Sequence, residues 1–143
     1  MKFPFFWVDS FTNQVFAGNP AGVVPLESWP DDRLLQRIAF ENGLSETAFF
    51  VTTAPGHHHL RWFTPTVEVD LCGHATLAAA FVIFHHLGLG GAEITFAVTS
   101  SPAITPRCRK FRKEKSGMSA SKDASPPRLM RPRTVSPAWP MAA

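Results

Sequence analysis

Cysteine is scarce in this chain, and its scarcity excludes one class of small protein. The 143 residues include only two cysteines, Cys72 and Cys108. Small domains that depend on disulfides carry several pairs, so two isolated cysteines do not provide such a framework. A reducing cytoplasm is therefore the simpler expectation for the location of the chain.

Apolar segments long enough for an export signal or a membrane span are also missing. The apolar N-terminal run stops at Asp9, which leaves it too short for the core of a signal peptide. The uncharged segment 75–84 is shorter than the roughly 20 residues that a membrane-spanning helix needs. The chain is predicted to be soluble, with no membrane as a partner.

Basic residues are rare in the first part of the chain, and acidic residues are rare in the last part. Residues 1–100 contain four basic and nine acidic residues, a net charge of −5, whereas residues 101–143 contain ten and two, a net charge of +8. The second segment also has seven prolines and no hydrophobic periodicity. These features predict a folded domain over 1–100 and a disordered tail over 101–143.

The basic tail admits two further interpretations. Its aromatic residues, Phe111 and Trp139, are too few and too far apart to form a stacking surface, so nucleic acid is not expected as a partner. The abrupt change of composition is also what a shifted reading frame of a GC-rich gene produces. A frameshifted tail without function is the favoured explanation at this point.

The folded region has the pattern of a mixed α and β protein. A helix is predicted from a capping box at Ser28 and Asp31 to a stop at Gly43. Strand composition and turn residues predict five strands, at residues 3–8, 21–25, 44–52, 57–64 and 92–99. This order of elements predicts an α+β fold.

The segment 61–88, RWFTPTVEVDLCGHATLAAAFVIFHHLG, is the centre of this prediction. It begins as a strand and ends as a helix that has no charge over residues 75–84. Such a helix has no polar face and must be covered on all sides, so a curved sheet is expected to surround it. Its first turn follows Cys72-Gly73-His74, and unpaired amides at that end would attract a small carboxylate.

Three sequence blocks resemble the PhzF-like family of phenazine biosynthesis proteins, relatives of diaminopimelate epimerase. They are VDSFTNQVFAGNPAGVV at 8–24, AFENGLSETAFF at 39–50 and RWFTPTVEVDLCGHATLAAA at 61–80. The resemblance covers residues 3–99, the first of two similar halves. It implies a diaminopimelate epimerase-like half in which a curved, mostly antiparallel sheet wraps around a buried central helix.

The same resemblance implies a site in the cleft between the two halves. Glu46 would be the catalytic carboxylate, assisted by His74, while Asn19, Cys72 and Gly73 would line the substrate site together with His74. The implied reaction is an isomerisation like that of trans-2,3-dihydro-3-hydroxyanthranilate, in which a proton moves between carbons without a metal or an organic cofactor. Because this sequence matches one half only, activity is expected to need a homodimer that supplies the second wall or a longer native product.

Two other functions remain open. A thiol at a helix N-terminus has its thiolate stabilised, so Cys72 could act as the base of an amino-acid racemase or epimerase. The chain could also be a non-catalytic remnant or an interaction module.

The run His57-His58-His59 suggests a metal site, but the pattern argues against it. Adjacent residues of a strand point to opposite faces, so three in a row cannot converge on one ion. An exposed end of a hairpin is predicted instead.

Overall fold

The computed structural model describes residues 2–14, 16–89, 91–98, 107–112 and 128–135. Its strands are β1 (Phe3–Ser10), β2 (Asn19–Leu26), β3 (Thr47–Ala54), β4 (His57–Phe63), β5 (Glu68–Val69), β6 (Glu93–Val98), β7 (Arg107–Arg112) and β8 (Arg128–Val135). Its helices are α1 (Asp32–Asn42) and α2 (Gly73–Val82), and α2 continues into a π-helical turn over Ile83–Leu87.

The strands form one mixed sheet in the order β7-β6-β4-β3-β2-β1-β8, with β5 paired to β4. The pairs β2–β3 and β4–β6 are parallel, and the other five pairs are antiparallel. Parallel neighbours need a crossover connection, which α1 provides for β2–β3 and α2 for β4–β6. The predicted α+β fold is confirmed, and the short strand β5 is an addition to it.

Helix α1 packs through one face and shows the other to water. Leu35, Ile38 and Ala39 are buried, whereas Phe40 is 67% exposed. Its N-cap is Asp31, whose side chain accepts a hydrogen bond from the Arg33 amide at 2.8 Å. The predicted capping box at Ser28 is therefore wrong, because the helix begins three residues later than the pattern suggested.

The C-terminus of α1 agrees with the sequence. Gly43 has a φ of 63°, a left-handed conformation that glycine adopts without steric cost, and its amide donates to Ala39 and Phe40. The predicted stop at this residue is confirmed.

Helix α2 is buried around its whole circumference. Every residue from Ala75 to Ala80 is at most 3% exposed. One core cluster joins these residues to side chains from β1, β2, β3, β4 and β6. Because five strands contribute to the cluster, the helix lies at the centre of the core, as its lack of charge predicts.

The strand that leads toward α2 is fixed by an ion pair. Arg61 of β4 donates from Nε and from a terminal nitrogen to the two carboxylate oxygens of Glu68 in β5, both at 2.7 Å. A further terminal nitrogen of Arg61 donates to Asp32 of α1 at 2.8 Å. A planar guanidinium bound through several donors holds these elements in one orientation, so the entry to α2 is well defined.

Two segments of the basic tail form strands, whereas the disorder expected across 101–143 as a whole stays a prediction. The strand β7 pairs antiparallel with β6, and β8 pairs antiparallel with β1, so they occupy the two ends of the sheet order. Strand pairing uses backbone groups and does not require a hydrophobic pattern, so composition gave no signal for it. Phe111 of β7 packs edge-on against Phe96 at 5.8 Å. The rest of the tail lies outside the described residues.

His58 also departs from the sequence interpretation. The predicted alternation holds, since His57 is exposed and His58 is 1% exposed. The prediction of an exposed hairpin end is wrong for His58, whose ring lies between Phe50 and Phe96 and contacts the Thr52 hydroxyl at 3.0 Å. Burial lowers the pKa of His58, which favours the neutral ring.

Within the ranges given above, no helix has the length and the apolar character that crossing a membrane requires.

Candidate functional site

A carboxylate and an imidazole meet at the N-terminus of α2. Glu46 immediately precedes β3, and His74 is the second residue of α2. The Oε2 atom of Glu46 lies 3.3 Å from Nε2 of His74, and the two side chains are 22% and 10% exposed. The two residues that the family resemblance selected are therefore in direct contact.

The contact leaves both polar atoms available. Their separation is within reach of an ion pair, but Glu46 Oε2 and His74 Nε2 are buried and have no hydrogen-bond partner among the described residues. We interpret the contact as an approach without hydrogen-bond alignment. Buried polar atoms are nearly always paired in folded proteins, so two unpaired ones in contact indicate a site prepared for a ligand.

Glu46 is held in place through its backbone. Its carbonyl accepts a hydrogen bond from the Gly22 amide at 3.1 Å. A Cβ atom on Gly22 would lie 2.8 Å from the Phe5 ring and 3.1 Å from the Thr47 hydroxyl. A larger residue at Gly22 would therefore displace the Phe5 ring or the Thr47 side chain, so glycine suits the close packing of β2 against β1 and β3 here.

Cys72 is the third member of the group. Its sulfur lies 3.3 Å from Nδ1 of His74, and one ligand atom from each of the three side chains lies within 4.8 Å of the other two. Burial, followed by the negative charge of Glu46, raises the pKa of the Cys72 thiol to about 11, although the amides of Ala75 and His74 act in the opposite direction. Desolvation thus outweighs the helix amides, which argues against the alternative in which a Cys72 thiolate acts as the base.

Two hydroxyl groups that the sequence interpretation missed hold the start of α2. Ser10 is fully buried, and its Oγ donates to the carbonyl oxygen of His74 at 2.8 Å. Thr76 donates from its hydroxyl to the carbonyl of Cys72. Ser10 ends a strand and Thr76 lies inside an apolar helix, so neither has a local pattern that marks it as a site residue.

The remaining predicted site residues lie at the edge of this group. Gly73 is exposed, and no described atom lies within 4 Å of the position that a Cβ would take. Asn19 starts β2 opposite Ser10 and is exposed. The structure thus brings Glu46, Cys72 and His74 together, while the role of Asn19 in binding substrate stays a prediction.

A concavity lies away from these residues. It has a volume of about 400 Å³ and is lined by the start of β1 and the end of β2, including Phe3, Pro4 and Leu26. Glu46 and His74 lie toward the opposite end of the same strands, where Ser10 and Asn19 pair. The volume of this concavity does not make it the reaction site, because Glu46 and His74 lie toward the other end of the strands.

The group has two chemical capacities. A carboxylate beside an imidazole can accept and donate protons, which is the chemistry of general acid–base catalysis. The carboxylate, thiol and imidazole also offer one ligand atom each within 4.8 Å of one another, which suits a cation.

Asp9, although buried, lies outside the group, and its carboxylate accepts a hydrogen bond from the amide of Phe16 at 3.0 Å.

Comparison with known proteins gives matches over most of the chain. A sequence model of the family described as phenazine biosynthesis-like protein, PhzC-PhzF, matches residues 8–130. An uncharacterized isomerase of Pseudomonas aeruginosa is 55% identical over 100 residues, which cover 70% of this chain and 38% of that protein. The human phenazine biosynthesis-like domain-containing protein is 47% identical over 107 residues, covering 70% of this chain and 37% of that protein.

Solved structures match in the same way. A phenazine biosynthesis protein of the PhzF family from Enterococcus faecalis superposes with a TM-score of 0.72 at 43% identity, covering 81% of this chain and 42% of that chain. A putative PhzC/PhzF protein from Clostridium difficile gives a TM-score of 0.69 at 42% identity, covering 80% and 41%. The chain thus spans about two fifths of the length of the relatives it matches.

Proposed function

The chain belongs to the phenazine biosynthesis-like PhzC-PhzF family, and from this premise we propose that it carries the proton-transfer site of an isomerase. Relatives from Pseudomonas aeruginosa and Halalkalibacterium halodurans are named isomerases. The proposed substrate is a small carboxylated molecule of the trans-2,3-dihydro-3-hydroxyanthranilate type. Neither a metal nor an organic cofactor takes part in the proposed reaction.

One observation carries the proposal. The Glu46 carboxylate and the His74 imidazole approach to 3.3 Å at atoms that are buried and unpaired within the described part of the chain. In this arrangement neither atom has a hydrogen bond of good geometry to any described residue, so each keeps hydrogen-bonding capacity for a ligand. A substrate that hydrogen-bonds to both atoms would use that capacity.

The proposed step is an isomerisation in which no electrons are gained or lost. The Glu46 carboxylate takes a proton from one carbon, and the electron pair of the broken C–H bond shifts along the conjugated substrate. The protonated Glu46 then returns the proton to a second carbon, where a new C–H bond forms. His74 assists with a hydrogen bond to the substrate while the charge is displaced.

The N-terminus of α2 suits the carboxylate of such a substrate. The first amides of a helix point outward and carry partial positive charge. Gly73 lacks a side chain at this point, and open space surrounds the position of its missing Cβ in the described structure. Backbone amides can therefore reach a bound anion directly.

We propose that the second wall of the site comes from a second copy of this chain, when no further domain supplies it. Three exposed apolar side chains lie near the site residues along the chain: Phe11 at 54%, Phe16 at 80% and Leu71 at 54%. Phe11 and Phe16 lie in the connection between β1 and β2, next to Ser10 and Asn19, and Leu71 precedes Cys72. Exposed apolar groups around a site are typical of a surface that another protein segment covers.

A racemase or epimerase that uses Cys72 as its base is less well supported. The contact between Cys72 and His74 favours it, but a pKa of about 11 keeps the thiol protonated near neutral pH. Loss of activity in Cys72→Ser, with Glu46→Gln unaffected, would favour this alternative.

The test is incorporation of deuterium from D₂O into dihydrohydroxyanthranilate and amino-acid substrates by the purified chain. Glu46→Gln removes the proton acceptor but keeps the shape, so we expect the exchange rate to fall by about 10²–10⁴-fold. Glu41→Gln is the matched control, because Glu41 is exposed on α1 and should exchange at the wild-type rate. Wild-type exchange no faster than that of Glu46→Gln would contradict catalysis by this chain.

A further inference from the structure

We propose that Glu46, Cys72 and His74 form a binding site for a thiophilic divalent cation such as Zn²⁺, and that the bound ion inhibits the enzyme. The three residues supply a carboxylate oxygen, a sulfur and an imidazole nitrogen within 4.8 Å of one another. The inhibitory part of this inference depends on the proposed function, whereas the binding part does not.

The spacing of two ligand atoms already suits a tetrahedral ion. Zinc lies about 2.0–2.2 Å from nitrogen and oxygen ligands, so two such ligands in a tetrahedron are about 3.4 Å apart. Glu46 Oε2 and His74 Nε2 are 3.3 Å apart. The separation of these two atoms is therefore the one that a shared tetrahedral ion requires.

Cys72 is the ligand that has to move. A zinc-bound sulfur and nitrogen are about 3.6 Å apart, given bonds of about 2.3 and 2.0 Å. The sulfur of Cys72 lies within 4.8 Å of the other ligand atoms, so a change of its side-chain position would bring it into the set. This shift would turn the thiol away from Nδ1 of His74, which it now contacts at 3.3 Å.

An independent observation indicates that the group awaits a ligand. The His74 side chain is nine-tenths buried, and its Nε2 is unpaired among the described residues. Glu46 Oε2, the atom it faces, is unpaired in the same sense. An ion between Glu46 Oε2 and His74 Nε2 would bind both atoms at once. A single exposed cysteine or carboxylate would not provide such a pair of ligand atoms.

The set of donors selects the kind of cation. Sulfur and imidazole are borderline or soft ligands that favour Zn²⁺ and Co²⁺, whereas Mg²⁺ and Ca²⁺ require mostly oxygen ligands. Three protein ligands leave the fourth tetrahedral position for water or a substrate carboxylate. Gly73, which is exposed, gives solvent access to that side.

Because the carboxylate and the imidazole would both bind the ion, neither could transfer a proton.

The binding test uses the full chain, freed of metal and titrated with Co²⁺. We expect a near-ultraviolet charge-transfer band from a cobalt–thiolate bond that saturates at one ion per chain and disappears when Zn²⁺ is added. Cys72→Ser should abolish the band. His74→Gln and Glu46→Gln keep the thiol, and each should weaken Co²⁺ binding by roughly tenfold or more.

Two control variants separate this site from adventitious binding. Cys108→Ser removes the other thiol of the chain and should leave the band unchanged, as should His57→Gln on the exposed part of the hairpin. A missing band, a band that survives Cys72→Ser, or a band lost in Cys108→Ser would overturn the site. Circular dichroism of each variant confirms that the fold is retained.

The inhibition test separates the two proposals. Zn²⁺ should stop deuterium exchange at the concentration that displaces Co²⁺, and a chelator should restore it. Exchange that continues in the zinc-loaded chain overturns the inhibition but leaves the proposed function standing. A cobalt–thiolate band in a chain without exchange activity supports the metal site while the proposed function fails.

Discussion

Helices α1 and α2 have similar lengths and opposite surroundings. The N-terminus of α1 is capped by the Asp31 side chain, its C-terminus by Gly43, and one of its faces is exposed. Helix α2 is buried on all sides, and no described side chain caps its N-terminus at Cys72. In α1, hydrogen bonds from residues at both ends pair terminal backbone groups, and this helix is structural. In α2, backbone amides at the N-terminus keep hydrogen-bonding capacity at the point where Glu46 and His74 meet.

The largest expected contrast between the helices is in stability. Leu77→Ala in α2 should lower the free energy of unfolding by about 2–5 kcal/mol, because it leaves a cavity in the core. Phe40→Ala in α1, at a side chain 67% exposed, should change it by less than about 0.5 kcal/mol. Urea denaturation of both variants measures the difference, and equal losses would contradict the contrast in burial.

A smaller contrast concerns the cap of α1. Asp31→Ala should cost about 1 kcal/mol, because the Arg33 amide loses its acceptor. Ser28→Ala, at the position where the sequence pattern predicted the cap, should have almost no effect, since Ser28 is exposed and precedes the helix. Thermal unfolding of the two variants compares them, and a larger loss for Ser28→Ala would restore the predicted cap.

The smallest expected effect is a difference in the pH dependence of stability between variants of the buried His58 and the exposed His57. It is absent at neutral pH and appears in acid. The pKa of His58, buried in the α2-side core, is lowered by burial, so the unfolded chain takes up the proton first as the pH falls below about 6.5. Wild-type stability should therefore decline as the pH falls from 6.5 toward the folded pKa. His58→Gln should flatten this decline, whereas His57→Gln, which removes only the smaller cause of the His58 shift, should flatten it much less. Equal slopes in urea titrations of the two variants would contradict this prediction.

Much of this fold could be predicted because the informative features are either short patterns of neighbouring residues or long matching blocks of sequence. Three blocks identified the family, and the family match confirms them. The uncharged segment at 75–84 predicted a buried helix, and Gly43 predicted the end of α1. The contact between Glu46 and His74 followed from the family resemblance and from no pattern in the residues themselves.

Other features could not be predicted because they depend on residues far apart in the chain. Ser10 reaches His74 across 64 positions, and no local pattern marks such a pair. His58 is buried because β6 brings Phe96 beside it. The strands β7 and β8 pair through their backbones, which hydrophobic patterning does not reveal.

The sequence alone determined the family, the α+β class and the central position of α2, since periodicity and lack of charge decide which surfaces must avoid water. Only the tertiary structure decided the chemical state of the site. Cys72 lies at a helix start, where the sequence suggests a thiolate, yet burial beside Glu46 raises the pKa of its thiol to about 11. Desolvation and neighbouring charge are properties of the assembled fold, because they depend on every element that packs around a group.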